Sequence, residues 1–519
     1  MRYLSKIKIF TLAGVGAAML FSGCQKLSDF GNTDDRTDAV TQPVTSNLLT
    51  NALASIAGLQ SSTRAGIRGE LYSQQWSETQ YSDVSTYANP QLDYGGIYSG
   101  PLMDLETIIQ RNEDPATKST VFVLGSPGNP SGSNANQIAV ATIAKVYYFW
   151  NLTDRWGDIP YSEALQMADN ITPKYDAQED VYNQMLTDLK NAIAGFDDGP
   201  GVSGDFYYNG DVNMWKKLAN SMRMLIALRM SKVYPNAGQL AATEFAAAAS
   251  DPAGAIETND ENFARAYSGT SVAETNPFYS ALNGRKDYAL SKTLGDILDN
   301  MSDPRRSAYG SGGATFPYGL PREQAVAYSN SVSGAYASPF APAYVQSTTT
   351  LVTIPAAYVL LAKAEAAQRG WISGSAQAYY NAGVTASFEQ WGVSGAAAYL
   401  AGDKANFNTG TGGGTQIGFL ADYAAVPNQD AVTTTPLQRI QLQRYLASFG
   451  DGLQAWSEWR RTGVPNLKPT VFATNNPKEI PRRLVYGTSE YALNKDNVEA
   501  AAGLLQGGDV MNARMWWDQ

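Results

Sequence analysis

The chain has 519 residues, a formal net charge of −10 and no histidine. The missing histidine excludes Ser-His-Asp and Cys-His catalysis and removes the commonest protein ligand for zinc, copper and iron, although paired-carboxylate chemistry stays open. The acidic balance argues against a nucleic-acid partner, because nucleic-acid-binding proteins present basic patches. Cys24 is the single cysteine, so no internal disulfide can form and a large hydrophobic core must hold the fold.

Residues 1–23 have the layout of a lipoprotein signal peptide. Basic residues precede an apolar run from Ile9 to Phe21, which is too short to cross a bilayer as a helix of roughly 20 residues. Small residues then precede Cys24, as they do in a lipobox. We therefore predict that Cys24 is acylated, becomes the mature N-terminus and anchors the protein to a membrane.

Residues 24–46 predict a flexible tether, because acidic side chains are dispersed among Gly, Asn, Thr and Pro. The remainder, residues 47–519, is expected to form a single domain.

Several segments of this domain predict helices, so we expect a mainly α fold. Apolar residues between Val140 and Tyr148 recur three and four positions apart, and those between Val181 and Ile193 recur every four. Further segments are rich in good helix formers, namely 213–233, 354–369, 376–391 and 436–461.

The predicted helices fall into pairs, near 138–235 and 351–392, which favours tetratricopeptide-like hairpins that bury their apolar faces against neighbours. Long polar stretches rich in Gly and Tyr separate the pairs. Stretches of this length inside a compact domain are usually functional. The main ones are 72–100, 263–350 and 402–430.

These motifs together resemble the SusD/RagB family of nutrient-binding lipoproteins, and in particular a SusD-like branch that ends in a double-tryptophan motif. The strongest element is a helix ending in Arg155-Trp156-Gly157-Asp158-Ile159-Pro160, which resembles the family's R-W-G-D-I-P turn. Other matching segments are Leu361–Ala366, Glu458–Gly463, Pro481–Leu484 and Met515–Asp518.

We interpret these signature residues as structural rather than catalytic. We expect Arg155, Trp156 and Asp158 to cap and pin a helix end, with Gly157 relieving backbone strain. Arg460 and Arg461 are expected to pair with carboxylates or helix carbonyls, and the segment 303–306 is expected to form a turn at a helix end.

The resemblance implies a SusD-like fold with a helical scaffold and a loop-rich binding subdomain. It also implies a binding protein without catalytic activity or a required cofactor. Its implied partner is a TonB-dependent, SusC-like outer-membrane transporter, which it would cover as a lid on the cell exterior. Its implied cargo is an oligosaccharide, with an oligopeptide as the alternative.

Aromatic and amide side chains suit glycan capture, because sugar rings stack on aromatic faces while amides and carboxylates bind hydroxyls. The segment Tyr72–Tyr98 concentrates such groups, and a second polar and aromatic loop spans 276–288. From these segments we predict six ligand-binding residues, Trp76, Tyr81, Tyr87, Tyr94, Asn276 and Tyr279.

A remote alternative is a surface glycoside hydrolase that uses Glu78 with Asp83 or Asp93, although no motif fixes such a pair. No calcium loop of the EF-hand pattern occurs in the sequence, and we predict no metal site.

Overall fold

The computed structural model of the chain describes residues 44–61, 66–88, 91–121, 131–311, 313–412, 415–419, 425–428 and 435–519. The predicted signal peptide, Cys24 and most of the predicted tether lie outside these residues. The first helix begins at Thr45, so the last two residues of the predicted tether are helical. A compact unit extends from Thr45 to Gln519.

Helices dominate the described residues, which confirms the mainly α prediction. The N-terminal half contains α1 Thr45–Ser61, α2 Gly66–Tyr72, α3 Gly95–Ile97, α4 Met103–Glu113, α5 Lys118–Val121, α6 Asn134–Trp156, α7 Gln178–Gly195, α8 Val212–Arg229 and α9 Leu240–Ala249. The C-terminal half contains α10 Pro277–Leu282, α11 Lys292–Asn300, α12 Arg306–Tyr309, α13 Arg322–Ser331, α14 Ala356–Gln368, α15 Ala376–Gln390, α16 Ala396–Ala401, α17 Pro436–Ala447, α18 Gly452–Thr462, α19 Thr488–Leu493 and α20 Lys495–Leu504.

The predicted hairpins form, since α6 packs on α7, α8 on α9 and α14 on α15. The segment 436–461, predicted to be helical from its good helix formers, forms two helices, α17 and α18. Gly450 breaks it because its φ of +90° lies in the left-handed region, where glycine is favoured.

The R-W-G-D turn has the structural role predicted for it. Gly157 ends α6 with a φ of +89°, and its N–H donates to the carbonyl of Thr153. Arg155 donates to the Leu59 carbonyl at 2.6 Å, which ties the helix end to α1. Asp158 accepts the Gln178 N–H at 2.8 Å, so it satisfies a free donor at the start of α7.

A buried ion network joins α14, α17 and α18. Arg461 donates to Glu365 and to Glu458, at 2.7 and 2.6 Å, and Arg444 donates to Glu458 at 2.9 Å. Burial would raise the pKa of Glu365, yet the guanidinium groups, Arg461 foremost, lower it to about 2. The prediction that Arg461 pairs with carboxylates is thus confirmed, and Arg460 binds the Asp154 carbonyl at 2.7 Å, as expected of a helix-end partner.

Short antiparallel strands organise the loop-rich segments. The pairs are β1 Trp76–Glu78 with β3 Tyr288–Leu290, β2 Phe263–Arg265 with β6 Leu351–Ile354, β4 Gly310–Ser311 with β5 Ser338–Pro339, and β7 Thr415–Phe419 with β8 Ala425–Asn428. In the first pair Trp76 lies opposite Leu290 and Glu78 opposite Tyr288. This pairing joins the two segments that the sequence offers as separate binding regions.

None of the helices among the described residues has both the length and the apolar character needed to span a membrane.

Candidate ligand-binding site

A cavity of about 490 Å³ opens in the loop-rich region, and we call it the outer cavity. One wall comes from α10 and the turn that leads into β3, and the other from β5 and the segment after it. The backbone N–H of Leu290 donates to the Ala337 carbonyl at 2.8 Å, which links the two walls. The outer cavity is lined by Tyr279, Leu282, Asn283, Gly284, Arg285, Lys286, Tyr288, Ser338, Pro339, Phe340, Pro342, Val345 and Gln346.

Local sequence fixes the first wall. Asn276 caps α10, because its side-chain oxygen accepts the N–H groups of Phe278 and Tyr279, while Pro277 occupies the first turn. Gly284 then turns the chain with a φ of +70°. The cap and the turn together place Tyr279 on the cavity wall.

The rear of the outer cavity is an aromatic cluster centred on Trp76. Its ring lies 5.8 Å from that of Tyr288 and 5.7 Å from that of Phe340, both of which line the cavity. Phe278 packs against Trp76 at 5.9 Å. Trp76 therefore supports the cavity wall from behind and does not contribute to its surface.

The rim carries exposed polar and charged groups. Arg285 donates to Asp287 at 2.7 Å, and this hydrogen bond raises the pKa of Arg285. Tyr81 is 55% exposed and lies close enough to Arg285 for an electrostatic interaction. The guanidinium of Arg322 lies 5.5 Å from the centre of the Tyr81 ring, a cation–π distance. The rim thus presents an accessible aromatic face beside hydrogen-bond donors.

Burial shifts the pKa of two groups beside the outer cavity. Burial raises the pKa of Glu78 to about 7, although the Ser85 N–H donates to its carboxylate at 2.7 Å. Burial likewise raises the pKa of Tyr288 to about 12, with the nearby Glu78 contributing. Tyr288 therefore keeps its hydroxyl proton at neutral pH and can donate a hydrogen bond.

Of the six predicted binding residues, Tyr279 lines the outer cavity, whereas Tyr81 is exposed and is not among its lining residues. Trp76 and Tyr87 are fully buried, and Tyr94 is 1% exposed, so none of these three rings offers an exposed face for stacking in this structure. Asn276 is buried as a helix cap, and its amide donates to the Thr349 carbonyl. Their burial depends on tertiary structure, because segments that are distant in the sequence cover each of these residues.

Each buried tyrosine has a packing role. Tyr87 lies 6.2 Å from the ring of Tyr72, in the core. Tyr94 packs on Trp156 at 4.9 Å, and its hydroxyl lies 2.6 Å from that of Tyr175. Tyr94 also borders a separate cavity of about 340 Å³ on another part of the fold.

Two of the carboxylates considered for hydrolysis, Glu78 and Asp93, have structural roles. Glu78 is 5% exposed and lies on β1, whereas Asp93 accepts the N–H and hydroxyl of Ser489, which lowers the pKa of Asp93. Within the described part of the chain, no group of three or more His, Cys, Asp or Glu side chains is arranged to hold a metal ion.

Sequence reasoning missed the second wall of the outer cavity. Ser338, Phe340 and Gln346 come from the middle of a long segment whose only signal was its length and its prolines. Tyr288 was visible as part of the polar and aromatic loop, but nothing local indicated that β1 pairs with it.

Comparison with known proteins identifies a family whose model matches most of the chain. The family model SusD-like_2, described as starch-binding and associating with the outer membrane, matches residues 37–487. The comparison with curated proteins found no match.

Several solved structures resemble the chain over nearly its whole length. A SusD homologue from Bacteroides uniformis is 26% identical, with a TM-score of 0.76, and the alignment covers 92% of this chain and 100% of that one. A chitin-binding SusD homologue from Flavobacterium johnsoniae is 25% identical, with a TM-score of 0.74 and coverage of 92% and 98%. A structure named chitin-binding protein is 26% identical, with a TM-score of 0.70 and coverage of 91% and 99%.

Proposed function

Because this chain belongs to the SusD-like_2 family of starch-binding proteins that associate with the outer membrane, we propose that it captures oligosaccharides at the outer cavity. It then delivers them to a TonB-dependent, SusC-like transporter, over which it closes as a lid. The observation that carries the proposal is the outer cavity itself, whose aromatic walls meet a rim of exposed polar groups.

The chemistry of the cavity suits a sugar chain. Tyr279 and Tyr288 are half-buried in its wall and Tyr81 is exposed near its rim, so they offer faces on which sugar rings stack. Asn283 and Gln346 supply amides that both donate and accept, as sugar hydroxyls require. Because Trp76 packs behind Tyr288 and Phe340, the walls are held in place before the ligand arrives, which lowers the entropy lost on binding.

The relatives favour a glycan over a peptide as cargo. Two solved structures at 25% and 26% identity are named as chitin-binding. Neither is named as a peptide binder, and a glycan is therefore the cargo we propose.

Calorimetric titration with a panel of oligosaccharides and oligopeptides tests the cargo. Tyr81→Ala should weaken oligosaccharide binding by about 5- to 150-fold, the loss of roughly 1 to 3 kcal/mol expected for one aromatic anchor. Tyr379→Ala is the matched control, since Tyr379 also has a cation above its ring, Lys363 at 5.4 Å, but borders a different cavity. Equal affinities for the two variants would exclude Tyr81 from the site, and binding of peptides alone would overturn the glycan proposal.

The transporter partnership has its own test. A detergent extract of native membranes in which a SusC-like transporter is expressed should yield a stable complex of this protein with that TonB-dependent barrel. Recovery of the protein only as a free monomer would contradict the lid role.

The anchor proposed at Cys24 is tested by palmitate labelling. Replacement of Cys24 by alanine should abolish the label, because the chain has no other cysteine to acylate. Persistent labelling of the Cys24→Ala protein would exclude this anchor site.

A further inference from the structure

The charged residues that line the outer cavity are cations. Arg285 and Lys286 both line it, and none of the described residues around it that form its lining is an aspartate or a glutamate. The chain as a whole has the opposite balance, with 48 acidic side chains and 38 basic ones. Resting on the proposed glycan capture, we propose that the outer cavity selects sugars with an anionic substituent, the carboxylate of a uronic acid or a sulfate ester.

Lys286 supplies positive charge in the wall. Its side chain is exposed, and its ammonium group donates to the Gly334 carbonyl at 3.1 Å and lies 6.0 Å from the centre of the Tyr336 ring. Both partners are uncharged, so these contacts leave the charge of Lys286 in place. An ammonium group has three N–H donors, and two of them therefore stay available for a ligand.

Arg285 adds donors with a fixed direction. Its Nε donates to Oδ2 of Asp287 at 2.7 Å, and its Nη2 forms an ion pair with the same oxygen. Asp287 thus offsets the charge of Arg285 but also orients the guanidinium, whose Nη1 has no hydrogen-bond partner among the described residues. A guanidinium presents its donors as a planar fork, which suits the paired oxygens of a carboxylate or a sulfate.

A further cation lies at the rim. The guanidinium of Arg322 lies 5.5 Å from the centre of the Tyr81 ring, an uncharged partner that leaves the charge in place. Tyr81 also interacts electrostatically with Arg285. A sugar ring beside the exposed Tyr81 would therefore bring its substituents near two guanidinium groups.

The charges behind the wall offset one another. Tyr288 interacts electrostatically with two carboxylates and two guanidinium groups, those of Glu78, Asp287, Arg285 and Arg68. Burial raises the pKa of Glu78 to about 7, so part of it is uncharged at neutral pH. The lysine of the wall therefore adds a positive charge to a set that does not cancel it.

The other polar residues of the lining are neutral, namely Tyr279, Asn283, Tyr288, Ser338 and Gln346. Gln346 donates one amide hydrogen to the Pro342 carbonyl, which leaves its second amide hydrogen and its oxygen. Hydroxyl and amide groups of this kind bind sugar hydroxyls whether or not the sugar is charged. Discrimination between neutral and acidic sugars is thus assigned to the cations.

Calorimetry on the whole protein with matched pairs of oligosaccharides tests the assignment. Trimers of galacturonic, glucuronic and mannuronic acid are each compared with their methyl esters, and a sulfated galactan oligosaccharide is compared with its desulfated form. In at least one pair the anionic member should bind about tenfold more tightly, and this preference should shrink when salt is raised from about 50 to 500 mM. The pair that shows the preference identifies carboxylate or sulfate as the substituent.

Substitution of Lys286 locates the preference. Lys286→Met removes the charge and keeps an unbranched apolar side chain, so it should weaken the preferred anionic oligosaccharide about 3- to 10-fold and narrow its advantage over the neutral form, whereas Lys286→Arg should retain that advantage. Lys478→Met is the matched control, since Lys478 is also exposed and donates to a backbone carbonyl, that of Val471 at 3.3 Å, but does not line the outer cavity.

Two results would overturn the anionic site while leaving glycan capture in place. One is a neutral oligosaccharide that binds at least as tightly as every anionic one, and the other is equal weakening of the anionic ligand by Lys286→Met and Lys478→Met. Absence of binding to any oligosaccharide, neutral or acidic, would instead refute the proposed function, and this inference with it.

Discussion

Replacement of Trp76 by alanine should destabilise the protein rather than remove a stacking surface. Trp76 is fully buried, and its ring packs against Phe278, Tyr288 and Phe340 at 5.7 to 5.9 Å. Truncation removes these contacts and leaves a cavity that the surrounding strands and helices fill only in part. Substitutions of this type cost about 3 to 5 kcal/mol.

The effect on binding should be indirect. Tyr288 and Phe340 lose their backing when the Trp76 ring is removed, and both line the outer cavity. Affinity should therefore fall at temperatures where the variant begins to unfold, and recover towards the wild-type value on cooling.

Urea denaturation followed by circular dichroism measures the free energy of unfolding. Trp76→Phe serves as a control for ring loss, because the Trp76 indole N–H has no partner among the described residues and its removal breaks no observed hydrogen bond. Trp76→Phe should thus cost less than Trp76→Ala, and Tyr81→Ala, which alters an exposed ring, should cost within about 0.5 kcal/mol. A loss of affinity in Trp76→Ala with a stability change below about 1 kcal/mol would refute the buried placement of Trp76.

Three further predictions concern stability. Because burial raises the pKa of Glu78 to about 7, the contribution of the protonated Glu78 to the free energy of unfolding is fully present below pH 4.5 and is lost as the pH rises through 7, by up to about 3 kcal/mol. Glu78→Gln should remove this part of the pH dependence. Urea midpoints that change equally in both proteins between pH 5 and pH 8 would contradict the prediction. Glu365→Gln should cost about 3 to 5 kcal/mol at pH 7, because it leaves the buried Arg461 guanidinium without its full countercharge, and a denaturation curve like that of the wild type would count against the network. Gly157→Ala should cost about 1 to 3 kcal/mol through backbone strain alone, since a Cβ there meets no heavy atom within 4 Å. Gly195→Ala is the control, because Gly195 lies in α7 without a positive φ, and this substitution should be neutral or stabilising. Equal shifts of the melting temperature in the two variants would exclude the strain argument.

Some features of this protein follow from local sequence. The helical repeats between Val140 and Tyr148 and between Val181 and Ile193 lie in α6 and α7, because burial of one helix face imposes a spacing of three and four residues. The turn at Gly157 is equally local, since it depends on one glycine conformation and on side chains within a few residues of the helix end.

Other features depend on contacts between distant parts of the chain. Trp76 and Tyr81 are five positions apart in one aromatic segment, yet one is fully buried and the other is 55% exposed. The difference arises because β1 pairs with β3, more than 200 residues later, and Phe340 then packs over Trp76. Composition identifies both residues as aromatic candidates, but it carries no information about which segment will cover them.

The outer cavity also forms through contacts between distant parts of the chain. Tyr279 and Tyr288 belong to a loop whose chemistry is visible in the sequence, whereas Phe340 and Gln346 complete the cavity from a segment about 50 residues further on. The helical scaffold and the type of side chain available for binding could be predicted from the sequence, because both depend on local spacing and composition. Which of those side chains reach the surface together depends on tertiary contacts, because strand pairing and packing between distant segments set their exposure.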